Sequence, residues 1–134
     1  MAEIKQGTEL ESEIRTLGNL ELFLYSASVQ IPHRIHYDLD YAREEGHRDI
    51  LVHGPFQAVC MVQQALGGLG DDWRATKVSF RNLSPVLVDA PFECASSLIE
   101  VSEDGEEARV EIISRSLDGQ TVFTTGELVV RRGA

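Results

Sequence analysis

Two short segments carry the side chains best suited to proton transfer: Pro32-His33-Arg34-Ile35-His36-Tyr37-Asp38 and Leu51-Val52-His53-Gly54-Pro55. Between them they hold three of the four histidines. An imidazole titrates near neutral pH, and the first amides of a helix have no partner inside it. A histidine beside a helix start therefore suits chemistry on a carbonyl compound in which an oxyanion develops, and the segments point to an enzyme. His33 and His36 can share one face of a turn, but no cysteine or carboxylate at metal-ligand spacing joins them. The sequence calls for no metal and no cofactor.

These groups need elements to position them. Asp38 is placed to cap a short helix that Gly46 ends, with His36 just before its first turn. A second helix is predicted from Gly54 to Leu66, with Pro55 in its first turn and Gly67-Gly68 stopping it. Phe56, Ala58, Val59, Cys60, Met61, Val62, Ala65 and Leu66 make it apolar nearly all round, with Gln57 and Gln64 in one narrow polar stripe. Such a helix must be enclosed by the rest of the fold. Ahead of it, Leu10 to Leu17 reads as a short helix, and Leu20 to Ala27, apolar on both faces, as a strand. Behind it, the alternation of Val78 and Phe80 with Lys77, Ser79 and Arg81 predicts a strand with one buried face. Residues 92–101, 108–116 and 120–131 are further strands. Asp104-Gly105 and Asp118-Gly119 fall in the gaps between them, a hairpin signal in which both turn positions tolerate positive φ. One antiparallel sheet wrapped around one long apolar helix satisfies this order, an α+β hot-dog layout. A sandwich with helices on one face would want a more amphipathic helix.

The 134 residues contain no repeat or linker and read as one domain, 1–134. A net charge of −10 argues against nucleic acid as a partner. Neither a signal peptide nor an apolar run of membrane-spanning length is seen, and Cys60 and Cys94 read as buried free thiols, so a cytoplasmic protein is expected.

With His33-Arg34-Ile35-His36-Tyr37-Asp38, Tyr41-Ala42-Arg43 to Gly46, and Val52-His53-Gly54-Pro55 in place, the chain resembles the MaoC-like acyl dehydratases. These are hot-dog proteins related to the R-specific enoyl-CoA hydratases and the type 2 3-hydroxyacyl-thioester dehydratases. The likeness runs from Gly7 to near Val130. Its central block is the specific part, and the C-terminal strands add a compatible pattern.

The resemblance implies reversible addition of water to a trans-2-enoyl thioester of CoA or an acyl carrier protein. It makes His36 the general base in hydration and the general acid in dehydration. It also implies pairing of chains, as a homodimer or as a heteromer with a second MaoC-like chain. In that family the residue five positions before the histidine is aspartate, or asparagine in the branch bearing His-Arg-Ile-His, and the pair holds the catalytic water. Here that residue is Ile31. Three readings stay open: His33 takes part of the missing role, a neighbouring subunit supplies the acid, or this chain does something else. The last includes a non-catalytic subunit that shapes a partner's acyl pocket. It also includes a hot-dog thioesterase, although that needs a carboxylate on or near the enclosed helix, which carries glutamines and no acid.

Gly54 is the candidate oxyanion donor, since Pro55 has no N–H and one preorganised amide is worth about 3 kcal/mol. Arg34 can reach a CoA phosphate or pair with Asp38 or Asp40, and Arg81 has the same ambiguity. Tyr37 can line an acyl pocket. His53 stands at the edge of the helix start, the remaining candidate for substrate contact.

Overall fold

The computed structural model describes residues 4–133. Its elements are β1 (Glu9–Arg15), α1 (Asn19–Val29), a 3-10 turn (Arg34–His36), α2 (Leu39–Glu44), α3 (Gly54–Leu69), β2 (Trp73–Asn82), β3 (Phe92–Val101), β4 (Glu107–Arg115) and β5 (Val122–Arg132). The strands form one antiparallel sheet in the order β1-β3-β4-β5-β2, and α3 packs against all five of them. Alternate residues of β3, β4 and β5 face inward: Phe92, Cys94 and Leu98, then Ala108, Val110 and Ile112, then Leu128 and Val130. They meet Cys60, Met61, Ala65 and Leu69 of α3. Each large aliphatic enclosed this way contributes about 1.5–3 kcal/mol, so the sheet-to-helix contact dominates the fold. This is the α+β hot-dog layout expected from the apolar helix.

The N-terminal third departs from the sequence reading. Residues 10–17 belong mostly to β1, a strand and not a helix, because Leu10 packs against the core and the strand pairs with β3. Residues 20–27 belong to α1, a helix and not a strand. Glu21 reaches back to accept the Gly18 amide at 3.0 Å, which secures the helix start. Leu22 then points inward while Leu20, Phe23 and Leu24 stay exposed. α1 ends with Gln30 in the left-handed region (φ 56°), and the Ile31 amide donates to Ser26 O at 3.1 Å.

Asp38 caps α2 as expected, accepting the Tyr41 amide at 3.1 Å. α3 runs on through Gly67-Gly68 and stops at Gly70 (φ 99°), whose amide donates to Leu66 O. A Cβ at Gly68 would lie 3.0 Å from Leu10 Cβ, so close packing on β1 overrides the low helix propensity of glycine there. The polar stripe is not solvated either: Gln57 and Gln64 are each 2% exposed. β2, at the edge of the sheet, lacks the expected buried face, with Val78 and Phe80 45% and 39% exposed. Both Asp-Gly pairs do turn hairpins, but only Gly105 and Gly119 adopt positive φ. The aspartates instead act through their side chains, each accepting a serine hydroxyl at 2.6 Å and the amide two residues ahead at 3.0 Å.

Candidate active site

The backbone of Leu51 fixes the first histidine. Leu51 N–H donates to Ile35 O at 3.0 Å, and Leu51 O lies 2.8 Å from His36 Nδ1. A carbonyl only accepts, so Nδ1 carries the proton and Nε2 presents its lone pair. Nε2 makes no hydrogen bond among the described residues. Leu51 is itself held by pairing of its segment with residues 86–88, through Val52 N–H to Val86 O and Val88 N–H to Ile50 O.

His53 immobilises the other side of the ring. The two imidazoles stack with centroids 3.8 Å apart and planes 19° apart. His53 is 1% exposed, its Nε2 lies 2.7 Å from Ser26 Oγ, and Tyr25 covers it at 4.8 Å while stacking on Phe56 at 4.4 Å. Its Nδ1 is buried without a partner among the described residues. Burial depresses the His53 pKa to about 4, with repulsion from His36 adding to the effect. His36 is lowered less: desolvation leads, the Leu51 hydrogen bond opposes it, and His33 adds a small repulsion. Both rings are therefore neutral at neutral pH, and His36 is free to take a proton.

Gly54 opens α3 one residue after His53, and its amide has no hydrogen-bond partner among the described residues. His36 and Gly54 line one open cleft of about 370 Å³ with Ile35, Gln57, Asn82 and Ser84. The Asn82 carboxamide sits against Gly54 so closely that a Cβ there would collide with it. Thr124 Oγ1 lies 2.9 Å from the Asn82 carboxamide and 3.0 Å from that of Gln57, which Ser114 Oγ also reaches at 2.9 Å. A proton acceptor, a helix-start amide without a partner among the described residues and a hydrogen-bonded polar wall thus share one cavity.

The comparisons with known proteins show the family and the fold. The chain matches the family described as hydroxyacyl-thioester dehydratase type 2 over residues 2–88. It is 33% identical over 104 residues to the mesaconyl-C(4)-CoA hydratase of Chloroflexus aurantiacus, covering 77% of this chain and 34% of that protein. The chain belongs to this MaoC-like hot-dog dehydratase family. It spans about a third of the length of the curated relative it matches. In fold it is similar to the (R)-hydratase from A. caviae involved in PHA biosynthesis, with a TM-score of 0.90 at 19% identity over 99% of this chain and 100% of that one. It is also similar to a chain of the ChsH1–ChsH2 complex from Mycobacterium tuberculosis, with a TM-score of 0.86 at 14% identity over 98% and 100%.

Within the family pattern, the other predicted residues fall in different places. Ile31 is half-buried just after α1, outside the cleft lining. His33 is exposed and caps the 3-10 turn, its Nδ1 accepting the Ile35 amide at 3.3 Å, with its ring 6.0 Å from that of His36. Arg34 grips Asp38 at 2.7 and 3.1 Å and lies 4.4 Å over the Tyr41 ring. Tyr37 is exposed and donates its hydroxyl to Pro32 O. Arg81 lies with Phe80 and Glu127 along a separate depression of about 500 Å³. Gln57, Asn82, Ser114 and Thr124 were not among the predicted site residues. The one sequence signal was Gln57, a polar side chain on a helix that must be enclosed. Among the described residues, no helix is long and apolar enough to cross a membrane.

Proposed function

We propose that this chain catalyses the reversible hydration of a trans-2-enoyl thioester to the 3-hydroxyacyl thioester, through its own His36 and Gly54. The observation that carries this reading is the bond from His36 Nδ1 to Leu51 O, which leaves Nε2 as a lone-pair base in a cleft shared with an unpartnered helix-start amide. In hydration, His36 Nε2 takes a proton from water as the water oxygen bonds to C3. The C2–C3 π pair moves toward the thioester carbonyl, and the Gly54 amide holds the resulting enolate oxygen. The proton on His36 then passes to C2, which completes the addition with no other reactant. Dehydration runs the same steps backward.

The mesaconyl-C(4)-CoA hydratase and the (R)-hydratase among its relatives support water addition to a CoA thioester with R stereochemistry. The acidic chain is a poor match for an acidic carrier protein, which favours CoA as the carrier. Ile31 favours a second reading on one point: the chain works as one subunit of a heteromer, beside a MaoC-like partner that completes its site. The ChsH1–ChsH2 complex is a precedent among the structural neighbours.

The test is loss of enoyl absorbance with crotonyl-CoA and with longer or bulkier enoyl-CoAs, using the chain alone and with a co-expressed MaoC-like neighbour. Turnover that His36→Ala reduces by about 10²–10⁴ supports the reading. Full turnover by a folded His36→Ala protein would remove His36 as the base. Turnover only with the neighbour selects the heteromer. Release of free thiol with no change in enoyl absorbance would indicate a thioesterase instead.

A further inference from the structure

Ile31 deprives His36 of the polar neighbour that the family pattern places five residues before it, yet the same cleft is lined by two carboxamides, Gln57 and Asn82. Their orientation follows from counting hydrogens. Three contacts join four groups: Ser114 Oγ to Gln57, Thr124 Oγ1 to Gln57, and Thr124 Oγ1 to Asn82. Each contact needs one hydrogen, and the two hydroxyls have only two between them. One carboxamide must therefore present its nitrogen, the two ends of the group being alike in shape. Turning Gln57 would leave the Ser114 hydroxyl hydrogen without an acceptor at a fully buried position. Turning Asn82 supplies a hydrogen to all three contacts. Its Nδ2 then donates to Thr124 Oγ1, while Thr124 and Ser114 both donate to Gln57 Oε1. The Asn82 carbonyl oxygen takes the opposite end of the carboxamide, the end packed against Gly54.

We propose that Asn82 Oδ1, held in place through Thr124, accepts one hydrogen of the water that His36 activates, so that position 82 supplies the orienting group absent at position 31. This rests on the hydration chemistry proposed above. The water donates one hydrogen to His36 Nε2 and the other to Asn82 Oδ1, which leaves an oxygen lone pair for C3. As the O–C3 bond forms, the first hydrogen passes to His36 as a proton and the second stays on the oxygen, becoming the product hydroxyl. Asn82 neither gains nor loses a proton. A carboxamide suits this role because, being neutral, it does not favour the protonated, inactive form of the base beside it.

Three substitutions test the assignment beside His36→Ala, with kcat and KM read separately. Asn82→Leu removes the acceptor, and kcat falls about 100-fold with KM within about threefold. Asn82→Asp keeps an acceptor oxygen, so activity stays within about fivefold of wild type, with a new acid limb as the carboxylate protonates. Thr124→Val frees the carboxamide and gives an intermediate loss of about tenfold. In NMR of the wild-type protein, an Asn82 Nδ2 proton is protected from exchange, and Thr124→Val abolishes that protection.

A folded Asn82→Leu protein with wild-type kcat, in a background where His36→Ala is inactive, overturns the role of Asn82 and leaves the hydratase reading standing. Equal losses in the Leu and Asp variants make Asn82 a packing residue and also overturn it. Unprotected Nδ2 protons in the wild type overturn the orientation whatever the activity. If the wild type turns over no enoyl thioester, alone or with a partner, the hydratase reading falls first and this proposal falls with it.

Discussion

The two walls of the cleft are made in different ways. The histidine wall comes from one stretch of chain, residues 33–54, and local backbone contacts hold it: the Leu51 peptide accepts from His36 and donates to Ile35, and His53 stacks from two residues further on. The amide wall takes one residue from each of four elements, Gln57 from α3, Asn82 from β2, Ser114 from β4 and Thr124 from β5. It exists only once the sheet has closed on the helix. The proposed base can be written as a motif. The groups proposed to orient the water beside it depend on the register of β2 on β5 and β5 on β4, where Asn82 faces Thr124 and Thr124 faces Ser114.

The sharpest break in this comparison is His36→Ala. The substitution removes the proposed base from the histidine wall and leaves the amide wall untouched, so kcat is expected to fall by about 10²–10⁴. The thermal midpoint should move by no more than about 3 °C, since His36 is only half-buried and water in the cleft can solvate Leu51 O. Steady-state rates with crotonyl-CoA and a melting curve on the same preparation check both halves. A large loss of stability would show that the stack with His53 is structural first.

The same contrast explains what the sequence revealed. His36, Gly54, the Asp38 cap and the enclosed α3 were legible because each is set by neighbours a few residues away or by the period of one helix. β1 and α1 were not. Leu10, Ile14 and Leu17 fit a helical face as well as an extended segment, and only pairing with β3 decides between them. α1 has apolar residues on every side, so periodicity does not choose between helix and strand there. The decisive contact is Glu21 on the Gly18 amide. Asn82 was hidden for a different reason: nothing in Arg81-Asn82-Leu83 shows that the side chain will meet Gly54 and Thr124 across the fold. Ile31 was legible as a departure, and the structure gives it a second context. It directly follows the left-handed residue that ends α1, a position where an apolar side chain commonly packs back on the helix.

Only the histidine wall titrates, so pH separates the walls next. The unfolded chain protonates His53 near pH 6.5, while the folded protein resists protonation until about pH 4. Between these values the unfolded state binds more protons. Stability is therefore full above pH 6.5 and declines as pH falls toward 4, by about 3 kcal/mol from this group. The depressed pKa of His36 acts in the same direction. Urea unfolding at intervals from pH 7 to 4 should show this slope, and His53→Phe should flatten it whatever its effect on absolute stability. An unchanged slope in that variant would place the acid sensitivity elsewhere.

Gln57→Leu tests the other wall. It removes the shared acceptor of Ser114 and Thr124, both fully buried, and the Ser114 hydroxyl has no other acceptor among the described residues. A stranded buried hydroxyl costs about 2 kcal/mol, so the urea midpoint drops while the pH slope stays that of wild type. If Gln57→Leu changed the slope and His53→Phe did not, the division between a titrating and a neutral wall would be wrong.

Arg34→Ala gives the smallest expected effect. Arg34 lies within the histidine motif, but its guanidinium holds Asp38 and covers Tyr41 at an exposed surface. Solvent screens exposed pairs of this kind, so they contribute little, and Asp38 keeps its cap on the Tyr41 amide without the arginine. The urea midpoint should therefore stay close to that of wild type, and KM for an enoyl-CoA should stay within about twofold. A tenfold rise in KM at unchanged kcat would instead show that Arg34 leaves Asp38 to meet the CoA phosphates. The histidine segment would then bind the thioester as well as react with it, and the contrast between a reacting wall and an orienting wall would have to be redrawn.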